Sequence, residues 1–175
     1  MIIAGFPCVG KTTMGNKYDN VIDLSSTKYH YIVEQDKINE QLKGNEKQHK
    51  VNPNWPQNYI DEVVRIKDKY DVVFVCDRVE ILSLMISQNI DFLIAMPHKN
   101  LKYDYIERAK QRGNNEKFLK IYEEKFNIWW NDMNSLPVKK IYLEKDEYVE
   151  DALIRLNLFN SQTFLKNIYI KWKNN

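Results

Sequence analysis

The chain begins with a short apolar run, continues through a loop that contains two glycines, and then becomes polar. This segment reads Met1-Ile2-Ile3-Ala4-Gly5-Phe6-Pro7-Cys8-Val9-Gly10-Lys11-Thr12-Thr13. The apolar run predicts a buried first β-strand, and the residues from Lys11 to about Tyr18 predict a helix. A strand, a glycine loop and a helix in this order are typical of α/β folds that are built on a parallel sheet.

The loop has the spacing G-x-x-x-x-G-K-[ST], which predicts a binding site for the phosphates of a nucleoside triphosphate. Glycines let the backbone curl so that successive N–H groups point at phosphate oxygens, and the helix that follows favours anions at its N-terminus. We expect Lys11 to neutralise the β- and γ-phosphates, Thr12 to ligate Mg²⁺, and Thr13 to reach the α-phosphate. The backbone cradle comprises Gly5, Phe6, Pro7, Cys8, Val9 and Gly10. The predicted cofactors are therefore ATP and Mg²⁺.

The rest of the chain alternates short apolar runs with longer amphipathic segments, which predicts an α/β fold in one domain. Further strands are predicted at residues 20–24, 71–77, 92–96 and 138–143. Further helices are predicted at residues 59–69, 79–88, 101–112, 116–133 and 148–156, and residues 34–42 are compatible with another. The tail at 157–175 is aromatic and basic. It is interpreted as a helix docked on the domain, with binding to nucleic acid or a partner chain as the alternative.

The composition excludes several classes of protein. Lys and Arg total 26 against 24 Asp and Glu, so the net charge gives no indication of nucleic-acid binding. The net charge does not exclude a local basic groove that binds nucleic acid. The two cysteines form no disulfide framework and no metal pattern. No apolar stretch approaches the roughly 18 residues of a membrane span, so we expect a cytoplasmic protein without a membrane partner. The oligomeric state is left open.

Two aspartates are placed at the ends of predicted strands. Asp77 follows the third strand, and we expect it to hold Mg²⁺ together with Thr12; the alternative is a cap for the helix that begins near Val79. Asp23 ends the second strand, where a carboxylate can accept a hydroxyl proton during phosphoryl transfer or bind a sugar or base. Ser25 and Ser26 add hydroxyl groups beside it. The alternative for these three residues is an ordinary turn.

Other candidate residues are basic or aromatic. Arg108 and Arg112 are four residues apart on one predicted helix, so both project from the same face and can screen the charge of a transferring phosphoryl group. A solvated basic face is the alternative. Trp55 lies between the second and third strands and is a candidate for stacking on a base, whereas packing under a long loop is the alternative.

Residues 1–13, and more loosely the order of elements to about residue 156, resemble the adenylate kinase-like group of P-loop kinases. The resemblance implies a three-layer αβα fold with five parallel strands in the order 2-3-1-4-5. It also implies an acceptor-binding insertion at residues 28–69 and a lid at 101–117, from which Arg108 and Arg112 would close over the phosphates. Asp77-Arg78 resembles the acid–arginine pair of thymidylate and deoxynucleoside kinases, in which the arginine helps to hold the substrate. Val79 stands where some of those kinases carry serine.

The function expected from these features is transfer of the γ-phosphoryl group of MgATP to a nucleoside, a nucleotide or a related small molecule. Lys11, Asp23, Arg108 and Arg112 are the expected catalytic residues, and Ser25, Ser26, Trp55 and Arg78 are expected to bind the acceptor with Asp23. Two alternatives stay open. One is a kinase that acts on a nucleic-acid end or a modified base. The other is an ATPase or switch that works with a partner, although Asp77 is followed by Arg78 and not by the second acid typical of hydrolases.

Overall fold

Five short apolar segments form one sheet in which every pairing of strands is parallel. A computed structural model describes residues 1–32 and 50–160. The strands are β1 Ile2–Gly5, β2 Val21–Asp23, β3 Val72–Val75, β4 Leu93–Pro97 and β5 Lys140–Leu143. They lie in the order β2-β3-β1-β4-β5, which confirms the predicted sheet.

Helices connect the strands. They are α1 Lys11–Lys17, α2 Thr27–His30, α3 Gln57–Ile66, α4 Val79–Ser87, α5 Lys102–Gln111, α6 Glu116–Ser135 and α7 Val149–Arg155. A short 3₁₀ helix, Lys99–Leu101, precedes α5. The bounds differ from the predicted ones by a few residues. Strand β5, for example, begins after residue 138 because Val138 N–H closes a tight turn onto the Leu136 carbonyl at 2.8 Å.

Two sequence-based interpretations fall outside the described residues. The possible helix at residues 34–42 is one of them. The docking of the tail is the other, because the described part of the chain ends at residue 160. Among the helices of residues 1–32 and 50–160, we find none of a length and apolarity that would let it cross a membrane. The cytoplasmic location stays a prediction.

The core lies on both faces of the sheet. All residues of β1 and β3 are buried, as expected for central strands of a parallel sheet that helices cover on both sides. Helix α6 packs its aromatic face against the start of the loop after β1, where the rings of Phe6 and Phe126 meet edge to face at 5.2 Å. Tyr122 of α6 is buried as its spacing predicts, but Ile121 is 41% exposed. Ile121 has the spacing of a core residue in the predicted helix at 116–133, and this prediction was wrong because its side chain lies beside the face of α6 that carries Tyr122 and Phe126.

The parallel arrangement decides where a site can form. The carboxyl ends of parallel strands meet at one edge of the sheet, and ligands of open α/β sheets bind there. The loops after β1, β2, β3, β4 and β5 all emerge at this edge. Most of the predicted functional residues belong to these loops or to the helices that follow them.

Candidate functional site

The glycine loop between β1 and α1 is curled by two residues in left-handed conformations. Cys8 has φ of 66° and Gly10 has φ of 98°. The Lys11 side chain folds back over this loop, and its Nζ donates a hydrogen bond to the Gly5 carbonyl. A Cβ at Gly5 would lie 2.6 Å from Lys11 Cδ, so the absence of a side chain at residue 5 makes room for the lysine. Backbone turns of this kind form concave sites for anions.

A cavity of about 410 Å³ adjoins the glycine loop, and we call it the loop cavity. Its lining includes loop residues 7–10, Lys11, Thr12 and Thr13, together with Arg108 and Arg112 from the end of α5. The structure therefore brings three predicted cationic side chains to one cavity, although the two arginines lie about 100 residues from the loop in sequence. Such a cluster of positive charge suits a polyanionic ligand.

Arg108 is held in place by two aromatic rings and one carbonyl. Its guanidinium lies 4.6 Å from the centroid of the Tyr105 ring and 4.4 Å from that of Tyr148. Arg108 Nη1 donates to the Glu147 carbonyl at 2.9 Å. Cation–π contacts and a hydrogen bond together restrict the side chain, so Arg108 presents a fixed, flat cation at the wall of the loop cavity.

Arg112 approaches the Cys8 thiol. Burial raises the pKa of this thiol, and the hydrogen bond and positive charge of Arg112 partly oppose that rise. The pKa stays above its ordinary value, so the thiol is neutral near pH 7. Cys8 therefore contributes a small neutral side chain to the loop.

A second cavity of about 560 Å³ lies at the carboxyl ends of β2 and β3, and we call it the strand-end cavity. Two aspartates and two serines predicted for the site line it together: Asp23, Asp77, Ser25 and Ser26. Lys11, Thr12, Asn16 and Arg112 line both this cavity and the loop cavity. The two cavities therefore meet at the predicted phosphate-binding residues.

Helix α1 lies unusually close to the end of β2. A Cβ at Gly15 would be 3.1 Å from the backbone nitrogen of Asp23, so the two backbones approach each other where residue 15 has no side chain. At the same contact, Thr12 Oγ1 donates a hydrogen bond to Asp23 Oδ2 at 2.7 Å. Thr12, the predicted metal ligand on α1, is thus hydrogen bonded directly to Asp23, the predicted acceptor-binding acid on β2.

The oxygen groups in the strand-end cavity fit Mg²⁺. This ion prefers hard oxygen ligands, and proteins often supply one or two carboxylates while the substrate phosphates supply more. Thr12, Asp23 and Asp77 provide a hydroxyl and two carboxylates in one cavity that also contains Lys11. The donor set therefore suits a magnesium ion shared with a polyphosphate.

Trp55 and Arg78, the other predicted acceptor-binding residues, contact each other. The Arg78 guanidinium lies 5.8 Å from the centroid of the Trp55 ring and 3.6 Å from the carboxylate of Glu80. Trp55 also packs against His30, with ring centroids 4.5 Å apart. Neither Trp55 nor Arg78 lines the loop cavity or the strand-end cavity among the described residues. Their roles in binding stay predictions. What the structure shows for Trp55 is packing, against His30 and Arg78.

Sequence reasoning missed Tyr148, which precedes α7. Tyr148 lines the loop cavity, and its ring would be 3.1 Å from a Cβ at Gly10. The adjacent Val149 N–H donates to the Val9 carbonyl at 2.8 Å, which fastens the start of α7 to the glycine loop. The order of elements could have indicated this role, because residue 148 follows the fifth strand and so lies at the same edge of the sheet as the glycine loop.

Tyr105, whose ring packs against Arg108, provides a test of the packing around that arginine. Its side chain is fully buried, and its hydroxyl has no hydrogen-bond partner among the described residues. Because an unpartnered buried hydroxyl destabilises a fold, Tyr105→Phe should raise the free energy of unfolding by about 1 kcal/mol while the ring still stacks on Arg108. Urea denaturation of the two proteins measures this difference. A loss of more than about 1 kcal/mol would mean that the hydroxyl is hydrogen bonded in solution.

No protein-family model matches the chain, and no curated protein matches it. The fold is that of an α/β protein with a five-stranded parallel sheet, and the loop cavity and the strand-end cavity adjoin each other at the carboxyl ends of its strands. The chemistry available to the protein is therefore that of the side chains at this edge.

Proposed function

We propose that this protein is a phosphotransferase that binds MgATP and moves the γ-phosphoryl group to a nucleoside, a nucleotide or a related small molecule. The observation that carries this proposal is the pair of adjoining cavities that share Lys11, Thr12 and Arg112. A phosphotransferase needs a donor site and an acceptor site that meet at the transferring group. Shared cations at the junction satisfy that requirement.

The loop cavity suits the donor nucleotide. Its curled backbone and its cations Lys11, Arg108 and Arg112 match a chain of phosphates. The Tyr148 ring adds an aromatic surface to the wall of the same cavity. The volume of about 410 Å³ lies within the range of small-molecule sites.

The strand-end cavity suits the acceptor. In the proposed reaction an acceptor hydroxyl oxygen forms a bond to the γ-phosphorus while the bond from that phosphorus to the β–γ bridging oxygen breaks. The acceptor proton passes to the Asp23 carboxylate, one oxygen of which is engaged by Thr12 while the other can take the proton. Lys11 and Arg112 stabilise the negative charge on the transferring group and on the departing diphosphate. Magnesium bound by Thr12 and Asp77 would add to that neutralisation.

Labelled ATP tests the proposal. The protein would be incubated with Mg²⁺, ATP labelled at the γ-phosphate, and separate pools of nucleosides, nucleoside monophosphates, sugars and single-stranded oligonucleotides. We expect transfer to at least one monomeric acceptor, with turnover on the order of 1–100 s⁻¹ for the true substrate. The same assay without Mg²⁺ is the control.

The outcomes separate the candidate functions. Transfer to oligonucleotides alone would replace this proposal by the nucleic-acid kinase. Acceptor-independent release of phosphate as the sole reaction would replace it by the ATPase or switch. Transfer to a monomer would support the proposal and identify the chemical class of the acceptor.

A further inference from the structure

Tyr59 on α3 lies behind the strand-end cavity, and its side chain is fully buried. Its hydroxyl donates a hydrogen bond to the Leu24 carbonyl at 2.8 Å and accepts one from the Cys76 N–H at 3.1 Å. Leu24 directly follows β2, and Cys76 directly follows β3. One hydroxyl group therefore connects the ends of two neighbouring strands.

The hydroxyl takes the place of a bond of the sheet. Leu24 N–H donates to the Phe74 carbonyl at 3.0 Å, which continues the parallel ladder beyond the last residues of β2. In a regular parallel ladder the next bond would run from Cys76 N–H to the Leu24 carbonyl. The Tyr59 oxygen lies between these two groups and bonds to both. The strand ends are therefore joined through two consecutive hydrogen bonds where the regular ladder has one.

The strand-end cavity opens where the strands separate. Leu24 and Cys76 both line it, followed by Ser25 and Ser26 on one side and Asp77 on the other. Burial raises the pKa of the Tyr59 hydroxyl, which keeps the proton that it donates to Leu24. We propose that Tyr59 is a positioning residue that holds the ends of β2 and β3 apart and so sets the shape of the acceptor cavity. The identity of that cavity as the acceptor site rests on the proposed function.

Tyr59→Phe is a suitable variant because it removes the oxygen and leaves the ring. The ring packs edge to face on Tyr29, with centroids 5.4 Å apart, and lies 6.0 Å from the centroid of Trp55. These contacts remain possible for phenylalanine. The variant therefore removes the two hydrogen bonds with little change in the apolar packing.

Hydrogen exchange at the Cys76 amide reports the local effect without any need for activity. In Tyr59→Phe this amide loses its acceptor, so it should exchange about tenfold faster, the change that corresponds to one lost hydrogen bond. The affinity for ATP should stay within about twofold, because Tyr59 does not line the loop cavity. For the acceptor that the labelled-ATP assay identifies, KM should rise about tenfold while kcat changes much less.

Tyr18→Phe is the matched control. Tyr18 is also buried, and its hydroxyl donates to Glu150 at 2.6 Å, away from the strand-end cavity. It should leave Cys76 exchange and the acceptor KM unchanged. The inference would be overturned if Cys76 exchange is unchanged in Tyr59→Phe. It would also be overturned if this variant still transfers the phosphoryl group with an unchanged KM for the acceptor. Faster Cys76 exchange in a protein whose wild type transfers no phosphoryl group would support the role of Tyr59 at the strand ends and reject the proposed function.

Discussion

Replacement of Lys11 by alanine should abolish the rise in melting temperature that MgATP gives the wild-type protein. Lys11 lines both cavities, and its ammonium group lies over the glycine loop on the Gly5 carbonyl. Hydrogen bonds to charged groups contribute about 1.5–3 kcal/mol each. Loss of two such bonds to phosphate oxygens would weaken binding by roughly 10²-fold or more, which removes ligand stabilisation at millimolar ATP.

Thermal unfolding with and without MgATP measures this effect. Lys17→Ala is the matched control, since Lys17 lies on the same helix but pairs with Glu150 at 2.6 Å outside both cavities. It should keep the full stabilisation by MgATP. If Lys11→Ala keeps it as well, the glycine loop is not the nucleotide site and the proposed function fails with it.

Replacement of Arg112 by alanine should lower kcat by about 10³-fold, the scale of a charge-stabilising arginine in phosphoryl transfer. Arg112 lines both cavities and so lies at their junction, whereas Arg108 lines the loop cavity and is held by Tyr105 and Tyr148. Arg108→Ala should therefore act mainly on nucleotide binding and raise the KM for ATP. Its effect on kcat should be smaller.

Steady-state kinetics of the two variants, with the acceptor at saturation, distinguishes these roles. Arg112→Lys is the informative companion, because it keeps a positive charge but loses the planar guanidinium. We expect it to recover part of the lost kcat. Equal losses of kcat in Arg108→Ala and Arg112→Ala would contradict the assignment of Arg112 to the junction.

The place of the glycine loop was predictable because it depends on local patterns. Apolar runs define β1 and β3, and the motif that ends in Lys11 and Thr12 directly follows β1. A resemblance that rests on these patterns supplied the strand order. The sheet then confirmed it.

The pairing of side chains was harder to predict because it depends on distances across the sheet. The bond between Thr12 and Asp23 requires α1 and β2 to touch, and that contact depends on a glycine inside a helix. Tyr59 has the spacing of an ordinary core residue, so no pattern separates a tyrosine that fills space from one that joins two strands. Trp55 and Arg78 were each plausible ligands, but the structure places them against each other.

The close approach at Gly15 limits how this protein can be stabilised by design. A glycine inside a helix is ordinarily an early choice for replacement by alanine, which favours helix by about 1 kcal/mol. At residue 15 the added methyl carbon would lie 3.1 Å from the Asp23 nitrogen, so α1 or β2 would have to shift by a few tenths of an ångström. A thermostability library should therefore keep this glycine fixed, since the gain in helix propensity is opposed by a shift at the contact where Thr12 bonds to Asp23.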